Sequence, residues 1–506
     1  MSTQSNNNKR IAKNTLMLYF RMLFNLLVTL YTSRVILQAL GVEDMGIYNV
    51  VGGIVTMSQV VTSSISNAIS RFLTFELGTG NFERLRTTFS VSVTVLIFLS
   101  VVIFLVAEFG GLYFIDNVLN ISTERIGAAK YVLLFSTLTF CINMISVPYN
   151  ASIISHENMN VYAYVGIFET VMKLAIAYAI TLFSTVDRLI LYALLLFSLA
   201  LAIRIFYGFY CSRAFTECRY SFVWNKKILK DLLGFASWTF WGDMANVFKT
   251  QGVSMLVNVF FGATINAAQA IANQVSNAIQ QFSNNFITAV SPQIIKQYAA
   301  GEFNEMIKLV SKATKFSFYI TMLIAFPILM NLDYILQVWL KIVPDYTASF
   351  IRLIVLYIFV DVLSQPMIRM INATGHVKRY QIGISIIMFL NFPLSYLLLK
   401  WNFGPNVIYW VSLFTGLMAF AYRLSMVKRL FPSMPFDHFC KKMLSGPCSV
   451  ILLSFCVYIL MLILSLNVYL NIVFSLFVGE FLLLLFIYKR GMTEPERLFI
   501  KRNLKK

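Results

Sequence analysis

The stretch NAAQAIANQVSNAIQQFSNN, Asn266–Asn285, is rich in side-chain amides and has no charged residue, in a chain that is 58% hydrophobic. At about 100° per residue, a helix gathers most of these amides on one face. That face carries Asn266, Gln269, Asn273, Asn277, Gln280 and Asn284. The opposite face carries Ile271, Val275, Ile279, Phe282 and Phe286. Such a helix lies either flat on a membrane surface or upright in the membrane with its amides facing water or protein.

The composition favours the membrane. Only 12% of the residues are charged and the mean hydropathy is +0.73, whereas soluble domains are about 25% charged. We predict an all-α polytopic membrane protein with about fourteen transmembrane helices of roughly 20 residues each. The predicted spans are 12–38, 46–70, 88–112, 127–153, 160–183, 188–210, 232–260, 266–290, 313–333, 348–372, 380–400, 406–427, 446–466 and 468–488. No connecting loop can house a catalytic module, so we expect neither an enzyme nor a cofactor.

The net charge of +19 is of the sign that nucleic-acid-binding proteins carry, but the distribution of the charge argues against such a partner. Roughly three quarters of the 41 Lys and Arg fall in the N-terminal tail, the even-numbered loops and the C-terminal tail. This bias predicts that both termini are cytoplasmic. The basic C-terminal tail is expected either as a short helix against anionic membrane lipids or as a merely solvated segment, and no nucleic acid is expected.

The sequence also repeats itself. An offset of 221 residues aligns Gly41 with Gly262 and Gly80 with Gly301. After a small deletion the offset becomes 218, which aligns Pro148 with Pro366 and Tyr162 with Tyr380. Six spans precede the second copy, so both copies start on the same side and form parallel repeats. We predict a six-helix bundle at 1–210, a cytoplasmic linker at 211–231, a second bundle at 232–430, and two extra helices with a basic tail at 431–506.

In this register Asn266–Asn285 is span eight and aligns with span two. Unsatisfied amides in lipid cost several kcal/mol each, so the stripe must face protein or water. We favour a water-filled cavity where Gln269, Asn273, Asn277 and Gln280 contact a substrate. The alternative is that the amides join helices across a packed interface.

The segment RVILQALGVEDMGIYNV, Arg34–Val50, links spans one and two. Gly41 is expected to end one helix and Gly46 to open the next. The segment resembles the LG-x-x-x-x-G-x-Y stretch of Wzx-type polysaccharide flippases. These belong to the multidrug/oligosaccharidyl-lipid/polysaccharide (MOP) exporter superfamily. With the repeat and the spans, the resemblance covers nearly the whole chain.

The resemblance implies a function. In such flippases a central cavity opens alternately to either side of the bacterial cytoplasmic (inner) membrane. The substrate is an oligosaccharide on an undecaprenyl pyrophosphate carrier, moved from the cytoplasmic to the periplasmic leaflet for surface polysaccharides such as O-antigen or lipopolysaccharide. The expected partners are therefore this lipid, a coupling H+ or Na+, and polysaccharide polymerase machinery.

Two cations lie at related positions inside predicted spans. Arg21 is one helical turn before Asn25 on span one, and the offset of 221 aligns Asn25 with Asn246, just before Lys249 on span seven. We predict that these four residues bind substrate from equivalent helix faces. A pyrophosphate suits them, because arginine donates bidentate hydrogen bonds and lysine is a compact charge. The alternative is that each cation is neutralised locally.

Other charges in the spans are predicted to serve the substrate or a coupling ion. Glu169 and Lys173 are four residues apart on span five, so they can form an ion pair with each other. The alternative is that both take part in transport, in which case Lys173 binds substrate and Glu169 binds the coupling ion. Arg34, near the outer end of span one, is a further predicted substrate contact that could instead reach the interface. Asp243 and Asp361 are candidates for ion coupling, unless they only balance nearby cations.

The main competing function is a multidrug antiporter of the MATE type, which shares this fold and exports organic cations. Such a pump needs acids in its cavity, often on span one, yet span one has Arg21 and no acid between Lys13 and Gly41. A membrane polymerase or ligase would need a large periplasmic loop for its catalytic residues. A scaffold that transports nothing does not explain polar stripes inside spans.

Overall fold

The computed structural model describes residues 2–56, 59–117, 122–182, 187–340, 343–464, 470, 473–492, 494, 496 and 497. Fifteen α-helices are numbered here in chain order. They are α1 Ser2–Thr56, α2 Gln59–Thr79, α3 Phe82–Asn117, α4 Ile126–Ser155, α5 Met159–Leu182, α6 Arg188–Ala214, α7 Lys226–Ala299, α8 Phe303–Met330, α9 Leu332–Leu340, α10 Thr347–Ala373, α11 Lys378–Phe389, α12 Asn391–Lys400, α13 Val407–Leu430, α14 Phe436–Leu464 and α15 Glu480–Phe486. The described residues contain no β-strand.

Helices α1 and α7 are each broken by a single glycine. Helix α7 has 74 residues, which at about 1.5 Å per residue would exceed the roughly 30 Å of a bilayer core several times over. Gly41 interrupts α1 at φ 82° and ψ 176°, and Gly262 interrupts α7 at φ 78° and ψ −171°. Helix α7 therefore holds predicted spans seven and eight, and α1 holds span one and the start of span two, in each case joined by one glycine of positive φ. The expectation that Gly46 opens a new helix is wrong, because Gly46 lies inside α1.

The backbone bears out the internal repeat. Gly80 and Gly301, aligned at offset 221, both have positive φ, at 72° and 76°. Pro148 and Pro366, aligned at offset 218, lie inside the equivalent helices α4 and α10. Glycines of positive φ and prolines inside helices thus recur at matched positions of the two repeats, which chance identities would not produce.

Within the described residues, ten helices are long and apolar enough to cross a bilayer. They match predicted spans one, three to six and nine to thirteen. Spans two, seven and eight lie in the glycine-broken helices and in α2, and span fourteen falls partly outside the described residues. The fold is that of an all-α, multi-pass membrane protein built from two repeats and extra C-terminal helices.

The chain divides into two compact units, Lys9–Phe240 and Trp241–Lys506, the latter together with Met1–Asn8. The division falls inside α7, after the end of the predicted linker 211–231. In the first unit, apolar side chains of α4, including Val132 and Leu133, form a buried core with Ile115 of α3 and Leu189 of α6. In the second, α10 supplies Phe350, Ile354 and Ile358 to a core shared with α7 and α13.

Helix α8 holds the extra C-terminal segment within the second unit. Phe318, Met322 and Phe326 of α8 pack against Val450 and Val457 of α14 and Leu483 of α15. The amide of Asn331 donates to the hydroxyl of Ser475 at 2.6 Å. Near the C-terminus, buried Lys315 pairs with Glu496 at 3.4 Å. Glu496 therefore packs on α8, a contact that the sequence of the tail did not predict.

An ion-pair cluster in the first unit joins the segment after Gly41 to the residues that precede α4 and α6. The Arg125 guanidinium donates to both carboxylate oxygens of Asp44 and to Asp187. Asp187 also caps α6 by accepting from the backbone N–H groups of Leu189 and Ile190 at 3.0 and 3.2 Å. Asp44 belongs to the segment after Gly41, so this cluster fixes the turn between the first two spans to the start of α4 and α6.

Candidate functional site

The part of α7 that follows Gly262 has an exposed face made almost entirely of amides and alanines. Asn273, Asn277 and Asn284 are exposed. The side that packs against the rest of the unit carries mostly small residues. The buried ones include Ala268, Ala272, Ser276, Ile279 and Ser283. A face of exposed amides is costly against lipid, because each amide loses its hydrogen bonds to water.

Two of the predicted amides instead belong to the packed side. Gln269 is 3% exposed, and its side-chain oxygen has no hydrogen-bond partner among the described residues. Gln280 is half-buried, and its amide donates to the Ser276 hydroxyl at 3.3 Å. The predicted stripe is thus rotated, with Asn273 and Asn277 exposed and with Gln269 and Gln280 at the helix contact.

Arg21 of α1 rests on α5. Its guanidinium lies 4.2 Å from the centroid of the Tyr162 ring. A Cβ at position 166 would overlap this guanidinium, so Gly166 leaves the room that the arginine occupies. No carboxylate of the described residues lies within 4.0 Å of Arg21. The arginine is therefore held by an aromatic face and not by a direct ion pair among the described residues.

The other predicted site residues of the first unit differ from one another in burial and in contacts. Asn25 is half-buried, and its side-chain oxygen is buried without a partner among the described residues. Arg34 is exposed. Lys173 and Glu169 form their own ion pair at 2.6 Å with 48% and 39% of the side chains exposed, which favours the self-paired interpretation.

Lys249 of α7 repeats the aromatic contact in the second unit. Its Nζ lies 4.1 Å from the centroid of the Tyr357 ring on α10, and the residue is only 6% exposed. No carboxylate of the described residues lies within 4.0 Å of that Nζ. A buried lysine without an acid partner is expensive at membrane depth and is a functional candidate for that reason. Asn246, one turn earlier, is exposed.

A separate polar network in the second unit contains the two predicted acids. Asp361 lies 3.8 Å from Arg423 and accepts from the Gln365 amide at 2.9 Å. The Arg423 guanidinium in turn donates to the Tyr380 hydroxyl at 3.2 Å. Asp243 lies within electrostatic range of Arg369. These contacts favour charge balance over ion binding for both acids.

One tyrosine occupies the same position in both repeats and contacts an arginine in each. Tyr162 lies under Arg21, and Tyr380, its partner at offset 218, accepts from Arg423. The arginines come from different helices, α1 and α13. The repeat therefore preserves the tyrosine while each unit supplies its own cation, with an acid nearby only in the second.

Sequence reasoning missed the aromatic partners Tyr162 and Tyr357 as contacts of the cations. It also missed two acids inside spans, Glu108 of α3 and Glu480 of α15. Both interrupt apolar runs, so the signal was present in the sequence. Each has a carboxylate oxygen that is buried without a hydrogen-bond partner among the described residues.

Comparison with known proteins supports this description. The family model described as polysaccharide biosynthesis protein matches residues 9–298, which is more than half of the chain. A second model, MatE, matches residues 243–397. Among curated proteins, none matches the sequence significantly.

Solved structures show the same fold at low identity. An outward-facing multidrug resistance MATE family transporter of the MOP superfamily is 13% identical, with a TM-score of 0.70 over 86% of this chain and 96% of that one. A MATE protein in the bent conformation is 12% identical, with a TM-score of 0.71 over 84% and 97%. A MOP superfamily transporter from Pyrococcus furiosus is 13% identical, with a TM-score of 0.68 over 86% and 97%. The chain is thus a multi-pass membrane protein that belongs to the polysaccharide biosynthesis protein family and has the fold of MOP superfamily transporters.

Proposed function

We propose that the protein is a flippase that moves undecaprenyl-pyrophosphate-linked oligosaccharide from the cytoplasmic to the periplasmic leaflet by alternating access. The observation that carries the proposal is that two cationic side chains in predicted spans contact aromatic rings and form no ion pair among the described residues. Arg21 and Lys249 each lie on a tyrosine ring without a carboxylate within 4.0 Å among the described residues. Cations kept at membrane depth without a counter-charge suit an anionic ligand such as a pyrophosphate.

The exposed amides of span eight supply the second requirement of such a substrate. A sugar chain carries many hydroxyl groups, which exchange hydrogen bonds with water for hydrogen bonds with protein. Side-chain amides both donate and accept, so Asn273 and Asn277 can bind hydroxyls in either role. On this proposal the protein lies in the bacterial inner membrane with both termini cytoplasmic, and polysaccharide polymerase machinery uses the product.

The alternative is a cation-coupled multidrug antiporter, favoured by the MatE match over residues 243–397. A cavity for organic cations is expected to carry an acid on span one, but span one has no acid between Lys13 and Gly41, and the predicted acid Asp361 is engaged by Arg423. One structural relative is described by a reverse polarity of its binding pocket that suggests a different function. The polarity of the site is therefore the property that separates the two candidates.

The test uses purified protein in liposomes that contain a short undecaprenyl-pyrophosphate oligosaccharide with a fluorescent sugar. Flipping is read by quenching of the sugars that reach the outer leaflet. We expect flipping of this lipid and no uptake of a fluorescent organic cation by the same vesicles. Cation uptake without lipid flipping would replace the flippase by the antiporter.

A further inference from the structure

Glu108 of α3 lies inside the first unit at a place where its charge has no counterpart. It falls within the predicted span 88–112, and it is half-buried. No Lys, Arg or His of the described residues lies within 4.0 Å of its carboxylate. The nearest cation along α4, Lys130, is engaged by Asp116 at 2.8 Å. A bare carboxylate at such a place is destabilising, because burial removes its hydration.

The Thr137 hydroxyl of α4 faces this carboxyl group. Thr137 is completely buried, and its Oγ1 has no hydrogen-bond partner among the described residues, nor does Oε1 of Glu108. The Thr137 hydroxyl can donate to the carboxylate and so partly stabilises its charged form, but the charge stays without a cation at a place where burial removes its hydration. One proton on the carboxyl group removes that charge, and the acid then donates to the hydroxyl oxygen.

The other neighbours of Glu108 leave the site uncharged. Cys141, one turn beyond Thr137, is the described titratable residue in electrostatic range on α4, and its thiol donates to the Ser100 carbonyl at 3.3 Å. Helix α2 and the loop after α6 reach α3 near its start. There Glu76 pairs with Arg84 at 3.0 Å and Tyr220 contacts Thr94 at 3.2 Å. No charge from these elements balances Glu108.

The internal repeat shows that the fold does not require these polar groups. At offsets 221 and 218, Glu108, Thr137 and Cys141 align with Leu329, Val355 and Phe359. In the second unit Val355 is fully buried in an apolar core, against which Leu329 and Phe359 pack. The same helix contact is therefore made entirely from hydrocarbon in one unit. The polar version in the other unit must have a role besides packing.

We propose that Glu108 is a proton-binding site, with Thr137 as its hydrogen-bond partner, which the transport cycle loads and empties. On this proposal the site holds the proton as a neutral acid while α3 and α4 are in contact. Separation of these helices would hydrate the carboxyl group and release the proton to water, with no other bond changed. A sodium ion fits less well, because it needs several oxygen ligands and the Ser100 carbonyl is already occupied by the Cys141 thiol.

The coupling role rests on the proposed transport function, whereas the protonation itself does not. The first experiment is therefore infrared difference spectroscopy of the purified protein in lipid near neutral pH. We expect a carboxylic-acid C=O band that disappears in Glu108→Gln and shifts in Thr137→Val, since the hydrogen bond is lost. Glu480→Gln is the matched control, because Glu480 is also an acid within a span without a described partner. If Glu108→Gln removes no carboxylic-acid intensity that Glu480→Gln retains, the proposal is overturned.

The second experiment measures coupling in vesicles with an imposed pH gradient. Glu108→Gln should abolish gradient-driven accumulation while substrate exchange without a gradient remains, and Glu480→Gln should keep both. Glu108→Leu, which introduces the residue of the other repeat, should reach the membrane at normal abundance. Normal gradient-driven accumulation by Glu108→Gln overturns the coupling role. If no substrate is transported by the unaltered protein, the transport proposal fails and the infrared result still decides the proton site.

Discussion

The Nζ of Lys249 lies 4.1 Å above the ring of Tyr357, although the lysine is 6% exposed. An aromatic face attracts a cation without supplying a counter-charge. Arg21 on Tyr162 has the same property in the first unit. The first prediction follows from these two pairs.

Arg21→Gln and Lys249→Gln should each weaken the binding of the anionic lipid substrate. The double variant should abolish polysaccharide export in a complemented strain. Hydrogen bonds to charged groups contribute about 1.5–3 kcal/mol each, so each variant should lose roughly tenfold to a hundredfold in affinity. Arg352→Gln is the control, because Arg352 is half exposed and bound to Asp333. Normal export by the double variant, at normal membrane abundance, would end the pyrophosphate interpretation.

The exposed amide face of α7 predicts a labelling pattern. In a background without the six native cysteines, Cys at Asn273, Asn277 or Asn284 should react with a water-soluble thiol reagent. Cys at Ala272 or Ile279 should stay unreactive, because both positions are buried. Labelling by a lipid-soluble reagent alone at Asn273 and Asn277 would place the face in lipid and contradict the cavity.

The Asp361–Arg423 pair predicts a loss of stability. Asp361→Asn leaves Arg423, which is 6% exposed, without its acid, and a broken buried pair costs about 3 kcal/mol or more. Thermal unfolding in detergent, followed by fluorescence, should therefore shift to lower temperature. A double variant with Arg423→Gln should recover part of the loss. An unchanged unfolding temperature together with lost gradient drive would instead return Asp361 to the ion-coupling candidates.

The Arg125 cluster predicts a second, independent effect on stability. Arg125→Gln removes hydrogen bonds to two carboxylates and leaves Asp44 and Asp187 close to each other, so we expect about 2 kcal/mol of destabilisation. Lys130→Gln is the matched control, because its pair with Asp116 is exposed and such pairs contribute about 0–1 kcal/mol. Equal unfolding temperatures for the two variants would show that the cluster is not a structural tie.

The sequence predicted the fold through features that repeat at fixed spacing. Gly41 and Gly262 could be aligned because an offset shared over a long stretch needs no tertiary information, and their matching dihedral angles bear this out. The lengths of the apolar runs predicted the transmembrane spans for the same reason, because run length also needs no tertiary information. Gly46 was misplaced because glycine is tolerated within a helix as well as at its end.

The partners of the site residues could not be predicted in the same way. Helical periodicity groups Gln269 with Asn273, but only the packed neighbours determine that Gln269 is buried and Asn273 exposed. Tyr162 and Gly166 are far from Arg21 in the chain, so their contact depends on how α1 meets α5. The pairing of Glu108 with Thr137 likewise required both α3 and α4 to be in place.

The single-glycine breaks at Gly41 and Gly262 have a mechanical consequence. A loop between two helices absorbs rotation, because each of its residues can change its dihedral angles. Here Gly262 alone separates the helical segment that carries Lys249 from the segment that carries Asn273 and Asn277. A change in the angle between the two segments is therefore concentrated in the dihedral angles of this one permissive residue, so Gly262 is the pivot between the lysine and the amide face.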